Sequence, residues 1–147
     1  MDRKDFIKSC GMICVGGVGV AALLQSCATG HYFAKSEISG KYLNVPATEF
    51  TLDKNGAVLD RNYVLVRSEK LNFPIYLYKM NEQEYSAVWM ECTHQGAELS
   101  AHGEQLSCPA HGSEFDNFGH VIQGPAQSNL RTFKTLVENG VVKIQLS

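Results

Sequence analysis

An all-β fold follows from three features of the chain. Past residue 30 the apolar residues fall in short runs that alternate with polar ones or are rich in β-branched side chains. Turn residues punctuate these runs at close spacing. No stretch beyond residue 30 shows the helical period of about 3.6 residues. The 147 residues leave room for one domain. Many short strands in a chain of this size close into a small barrel or sandwich.

The elements run as follows. Residues 1–26 read as a targeting segment that takes no part in the fold. Arg3, Lys4 and Lys8 make a basic start, and Cys10 to Leu24 is an uncharged, mostly apolar run of fifteen residues. That is short for a membrane span, which takes about 20 residues. Leu24-Gln25-Ser26-Cys27 resembles a bacterial lipobox, in which Cys27 becomes the acylated N-terminus; an uncleaved apolar anchor is the competing reading. Arg3-Lys4-Asp5-Phe6 resembles a twin-arginine export signal with lysine in the second arginine position. Residues 27–40 are then a lipidated tether and the entry to a domain over 41–147.

Within that domain Lys41–Val45 and Glu49–Leu52 read as strands, followed by a turn at Lys54-Asn55-Gly56. Asn62–Arg67 is a run of tyrosine, valine and leucine with strong strand character. Pro74–Tyr78 and Tyr85–Glu91 form a pair across the polar turn Asn81-Glu82-Gln83-Glu84. Leu99–Ser100 and Gln105–Cys108 flank the turn Ala101-His102-Gly103-Glu104. Phe133–Glu138 and Val141–Gln145 face each other across Asn139-Gly140, a two-residue hairpin signal. Phe73, Tyr76, Tyr78, Val88 and Trp89 read as core and strand-face residues.

The chemistry sits between residues 92 and 116. Cys92-Thr93-His94 offers a thiol and an imidazole two residues apart, and Cys108-Pro109-Ala110-His111 repeats the pair at a spacing of three. Two tight loops brought face to face make a cage of two sulfur and two nitrogen donors. Such donors suit zinc or iron and fit calcium or magnesium poorly. The cage therefore holds one tetrahedral ion or a small iron–sulfur cluster. His31, His102 and His120 lie outside both boxes and read as solvated loop histidines.

The residues around the donors resemble the Rieske 2Fe–2S family. The matching positions are Cys92-Thr93-His94-Gln95-Gly96 and Cys108-Pro109-Ala110-His111-Gly112-Ser113-Glu114-Phe115-Asp116, with Gly119, Val121 and Gly124-Pro125-Ala126 downstream. The resemblance implies a Rieske-like β-domain with a cluster-binding loop subdomain and one 2Fe–2S cluster. It implies Cys92 and Cys108 on the inner iron, and His94 and His111 on the outer iron. It further implies that Ser113, Phe115 and Pro125 tune the cluster. Two thiolates balance the charge of the oxidised core, so reduction starts from a neutral centre, and this raises the potential over four-thiolate clusters. Members of high potential carry a further cysteine in each ligand loop and a tyrosine that donates to a cysteine sulfur. Here those positions are Ala97, Ala110 and Phe115.

The cysteines are then all placed. Cys10 and Cys14 leave with the signal, Cys27 takes lipid, and Cys92 and Cys108 remain for metal. A net charge of −2 gives no footprint for nucleic acid. The resemblance implies one-electron transfer, with no catalytic centre in the chain itself, on the periplasmic side of a bacterial membrane. The partner would be a cytochrome, a quinol-oxidising complex or the large subunit of an oxidoreductase such as an arsenite oxidase. Two other readings remain open: a ferredoxin-type carrier for an oxygenase or reductase, and a zinc-binding structural module.

Overall fold

The computed structural model describes residues 30–147. The signal segment 1–26, Cys27 and the first residues of the tether lie outside the described residues.

The domain is built in three β layers. The outer layer is a sheet of β1 (Glu37–Ser39), β2 (Tyr42–Pro46), β14 (Val141–Gln145) and β13 (Thr135–Glu138), in that order. The middle layer orders β12 (Thr132–Phe133), β7 (Tyr85–Trp89), β6 (Ile75–Lys79) and β5 (Tyr63–Val66). The third layer orders β11 (Val121–Gln123), β10 (Glu114–Asp116), β9 (Gln105–Ser107) and β8 (Ser100–His102). A separate hairpin, β3 (Thr51–Lys54) with β4 (Ala57–Asp60), precedes β5.

Burial on both faces of the middle sheet explains its apolar runs. Successive side chains of a strand point to opposite faces. Val64, Val66, Ile75, Leu77, Tyr85 and Ala87 face a core completed by Leu43, Val45, Val142 and Ile144 of the outer sheet. Leu65, Tyr76, Val88 and Met90 face a second core with Leu99, Ala101, Leu106 and Phe115. Cys92 and Cys108 belong to this second core. The third layer is thus fastened to the middle sheet by the same side chains that surround the two thiols. The buried Tyr76 hydroxyl donates to the Gly103 carbonyl at 2.6 Å, and Tyr78 donates to Glu104 at 2.6 Å, so the β8–β9 turn is pinned as well.

The expected hairpins form. Asn139 and Gly140 both take positive φ, 51° and 73°, as a two-residue turn of this kind requires. Three runs depart from expectation. Glu49 and Phe50 end a short 3₁₀ turn, Ala47–Phe50, and the strand begins only at Thr51. The turn drops the Phe50 ring into the first core, where it meets Tyr85 edge-on at 5.3 Å. Phe133–Glu138 is two strands: Thr132–Phe133 pairs with β7, and Thr135–Glu138 pairs with β14. The chain changes sheets at Lys134, whose carbonyl accepts from Gln145 N–H at 2.9 Å. The strand at Leu99 starts one residue later and runs to His102, inside the segment read as a turn. Four strands were not expected: Glu37–Ser39 within the tether, Ala57–Asp60, Glu114–Asp116 and Val121–Gln123.

The two-core arrangement has a measurable consequence. Leu77→Ala in the first core and Leu106→Ala in the second should each lower the unfolding free energy by about 2–5 kcal/mol. The middle sheet separates the sites, so the double variant should equal the sum of the singles to within about 0.5 kcal/mol in urea denaturation.

Candidate metal centre

The two ligand loops are one backbone structure used twice. Cys92 carbonyl accepts from Gly96 N–H at 2.8 Å, and Cys92 N–H donates to the Ala97 carbonyl at 2.8 Å. Cys108 carbonyl accepts from Gly112 N–H at 2.9 Å, and Cys108 N–H donates to the Ser113 carbonyl at 2.8 Å. Each loop therefore closes from its cysteine to a glycine four residues on and to the residue after that. Gly96 and Gly112 stand at φ 74° and 81°, a region that side-chain-bearing residues avoid. Histidine occupies the third place of one loop and the fourth of the other. The unequal spacings C-x-H and C-x2-H are thus variations inside equal loops.

These loops sort the donors by depth. Cys92 and Cys108 are each 2% exposed and are unbridged. His94 is half-buried and His111 is exposed. The two imidazoles meet edge to face, with ring centres 5.0 Å apart and planes at 88°. The thiols lie at the bottom and the imidazoles at the rim. His94 Nδ1 is buried and has no hydrogen-bond partner, a costly state for a ring nitrogen unless something else binds it. Burial pushes the Cys92 thiol up from its ordinary value, as does the neighbouring Cys108, while the His94 N–H and the Ser113 side chain oppose it.

A third loop covers the pair. Gly124 and Pro125 are joined by a cis peptide bond. The buried Ser113 Oγ accepts from Ala126 N–H at 3.0 Å, Thr93 Oγ1 donates to the Ser128 carbonyl at 2.6 Å, and Gln123 Nε2 donates to the Gly112 carbonyl at 3.3 Å. Both ligand loops are therefore tied to the segment around Pro125. Pro125 itself is exposed, whereas Phe115 is wholly buried beneath the loops.

The last residue of the second box has a structural task. Asp116 Oδ1 accepts from Phe118 N–H at 2.9 Å and His120 N–H at 2.8 Å, and Oδ2 meets His120 Nδ1 at 3.0 Å. Burial pushes its pKa up, but the His120 backbone and ring and the Phe118 N–H outweigh this and hold the carboxyl below its ordinary value. His31, His102 and His120 are exposed and outside the cage. Thr93 and Gln123 are the contributors that a reading of the sequence misses. Thr93 lies inside a ligand box, but nothing local marks a partner 35 residues away.

Residues 40–134 match the model of the Rieske 2Fe–2S domain. The chain is 36% identical over 150 residues to the cytochrome b6-f complex iron–sulfur subunit of Trichodesmium erythraeum, covering 88% of this chain and 76% of that one. The corresponding subunit of Cyanothece is 29% identical over 117 residues, covering 78% of this chain and 56% of that one. The chain thus spans little more than half the length of the Cyanothece relative. Among solved structures, the cyanobacterial plasma membrane Rieske protein of Synechocystis superposes with a TM-score of 0.50 at 29% identity, covering 57% of this chain and 86% of that one.

Ser113 is the test of this bracing. Ser113→Ala leaves the buried Ala126 N–H without an acceptor, which costs about 1–3 kcal/mol. Chemical denaturation should show that loss, and Ser113→Thr, which keeps the hydroxyl, should recover part of it.

Proposed function

The chain belongs to the Rieske 2Fe–2S domain family and as a member transfers electrons through one 2Fe–2S cluster; from this premise we propose that it is a membrane-tethered one-electron carrier of a bacterial respiratory chain. Cys92 and Cys108 hold the inner iron, and His94 and His111 hold the outer iron. The observation that carries this assignment is the pair of equal loops with buried thiols and rim imidazoles, together with the unpartnered, buried His94 Nδ1.

The bound cluster supplies a one-electron couple. The chain supplies a dry pocket for the sulfurs, a rim from which the imidazoles meet a partner, and a loop that excludes water from a third side. Ser113 stands beside Cys92, where its hydroxyl stabilises negative charge on sulfur. Phe115 has no donor to add.

Cys27 carries the lipid, residues 1–26 are removed, and the domain stays on the periplasmic face of the membrane. The electron partner is a cytochrome, a quinol-oxidising complex or an oxidoreductase large subunit. The relatives that match over most of this chain are complex subunits by name, which favours this over a ferredoxin serving an oxygenase.

Three measurements test the proposal. Purified protein should contain two irons and two labile sulfides per chain, and His94→Ala or His111→Ala should lose them; stoichiometric zinc without sulfide refutes the assignment. Cys27→Ser should leave the precursor unprocessed or release soluble protein, as read by intact mass and membrane fractionation. Phe115→Tyr should raise the reduction potential in film voltammetry. A hydrogen bond to a charged acceptor is worth about 1.5–3 kcal/mol, which sets an upper range of about 60–130 mV for one electron. The wild-type value should accordingly fall below the top of the family range of about −150 to +300 mV.

A further inference from the structure

The residue before the first ligand box, Glu91, follows six residues of which none is charged. Met90 and Cys92 turn into the second core. Trp89 packs against the first core, and Glu91 shares its side, because successive side chains of an extended chain alternate. Glu91 therefore leaves the chain behind the first ligand loop.

The loop bends back over it. A side chain on Gly96 would begin 3.2 Å from Glu91 Oε1. The carboxylate thus rests against the glycine whose N–H closes the loop onto the Cys92 carbonyl. Glu91 and His94 line one cavity of about 470 Å³, together with Trp89 and Arg131.

This carboxylate is not compensated. Glu91 forms an antiparallel β-bridge with Glu98. Residues directly opposite in such a pair share a face, where like charges repel. Glu91 is half-buried and Glu98 is exposed. Arg131, in the same cavity, is engaged elsewhere. Its guanidinium donates to the Leu146 carbonyl at 3.3 Å and lies 4.8 Å from the Phe133 ring centre and 5.6 Å from that of Trp89. Among the described residues the ion pairs are Lys79–Glu82, His120–Asp116 and Lys143–Glu138, and none includes Glu91 or Glu98. Two facing carboxylates without a cation oppose folding, so stability does not account for them.

We propose that Glu91 is a potential-setting residue: its negative charge, backed by that of Glu98, disfavours the electron that the cluster takes up and lowers the reduction potential. The proposal rests on Cys92 and His94 as cluster ligands. Reduction adds one electron to a neutral centre and leaves it at −1, with no bond made or broken. A fixed negative charge raises the free energy of the reduced form and leaves the neutral oxidised form nearly unchanged. Half-burial shields Glu91 from part of the salt screening that weakens the exposed Glu98, so Glu91 acts the more strongly of the two. The effect has the same sign as the missing hydroxyl at Phe115 but a separate origin.

Film voltammetry of the iron-loaded protein, with the electrode supplying the electron, tests this. Glu91→Gln should shift the reduction equilibrium threefold to tenfold towards the reduced form, a rise of about 30–60 mV. Glu98→Gln should raise the potential less, and Glu91→Lys more than Glu91→Gln. Glu104→Gln makes the same charge change four residues before Cys108, where Tyr78 holds the carboxylate, and should move the potential least. Raising the ionic strength from about 0.01 M to about 1 M should shrink the Glu98→Gln shift more than the Glu91→Gln shift. In urea, Glu91→Gln should unfold no more readily than wild type, which a purely structural glutamate would not allow. Glu98 is exposed, so Glu98→Gln reads the same field even where the Glu91 variants bind iron poorly. A potential unchanged or lowered in either glutamine variant, with two irons and two sulfides in place, overturns the proposal, as does an equal rise in Glu104→Gln. Zinc without sulfide in the wild type overturns the ligand assignment beneath it, a failure distinct from the others.

Discussion

Everything at the rim depends on two thiols being kept dry at the end of a sheet. A loop carrying a metal ligand has few apolar side chains of its own. Here Cys92 and Cys108 are buried because they enter a core made by other elements: Val88 and Met90 from the middle sheet, Leu106 and Phe115 from the third layer. The backbone then has to turn sharply out of that core without leaving amides unpaired. It does so twice in the same way, with each cysteine closing its own loop through both its carbonyl and its N–H. The positive-φ glycine completes that closure, and the place of the histidine within the loop sets how far the imidazole stands above the sulfurs.

The loops are braced without a cross-loop disulfide. Cys92 and Cys108 are unbridged, and Ala97 and Ala110 in the same loops offer no thiol. The tie runs instead through the loop around Pro125, by way of Ser113, Thr93 and Gln123. A neutral hydrogen bond contributes about 0.5–1.5 kcal/mol net, so three of them are comparable with a disulfide of about 2–4 kcal/mol. The difference is dependence on context. Hydrogen bonds of this kind hold only while the third loop stays seated, so the stability of the cage is coupled to the packing of Ala126 and Leu130 in the second core.

Strand direction also sets where the chain enters the domain relative to the ligand loops. The same strand direction that delivers Cys92 to the far end of β7 brings residues 32–34 in past the near end of β5. The aromatic residues at the entry, Tyr32 and Phe33, are clamped by Arg61 and Arg67.

The all-β class, the chief hairpins and the pairing of two thiols with two imidazoles in neighbouring loops were legible in the sequence. Each is a local signal: alternation along a strand, Asn-Gly at a tight turn, thiol and imidazole a few residues apart. The departures all come from long-range partners. Glu49 and Phe50 look extended, but the first core draws the Phe50 ring inward. The run from Phe133 to Glu138 looks like one strand, but two sheets compete for it and the chain divides at Lys134. Glu114–Asp116 reads as part of a ligand loop because its partners, Gln105–Ser107 and Val121–Gln123, are visible only once the third layer is assembled. By itself the sequence determined which residues offer thiol and imidazole donors and what chemistry such donors suit. The tertiary structure alone decided which of these side chains are buried and what braces the loops, because those depend on side chains that lie far apart along the chain and meet only through packing.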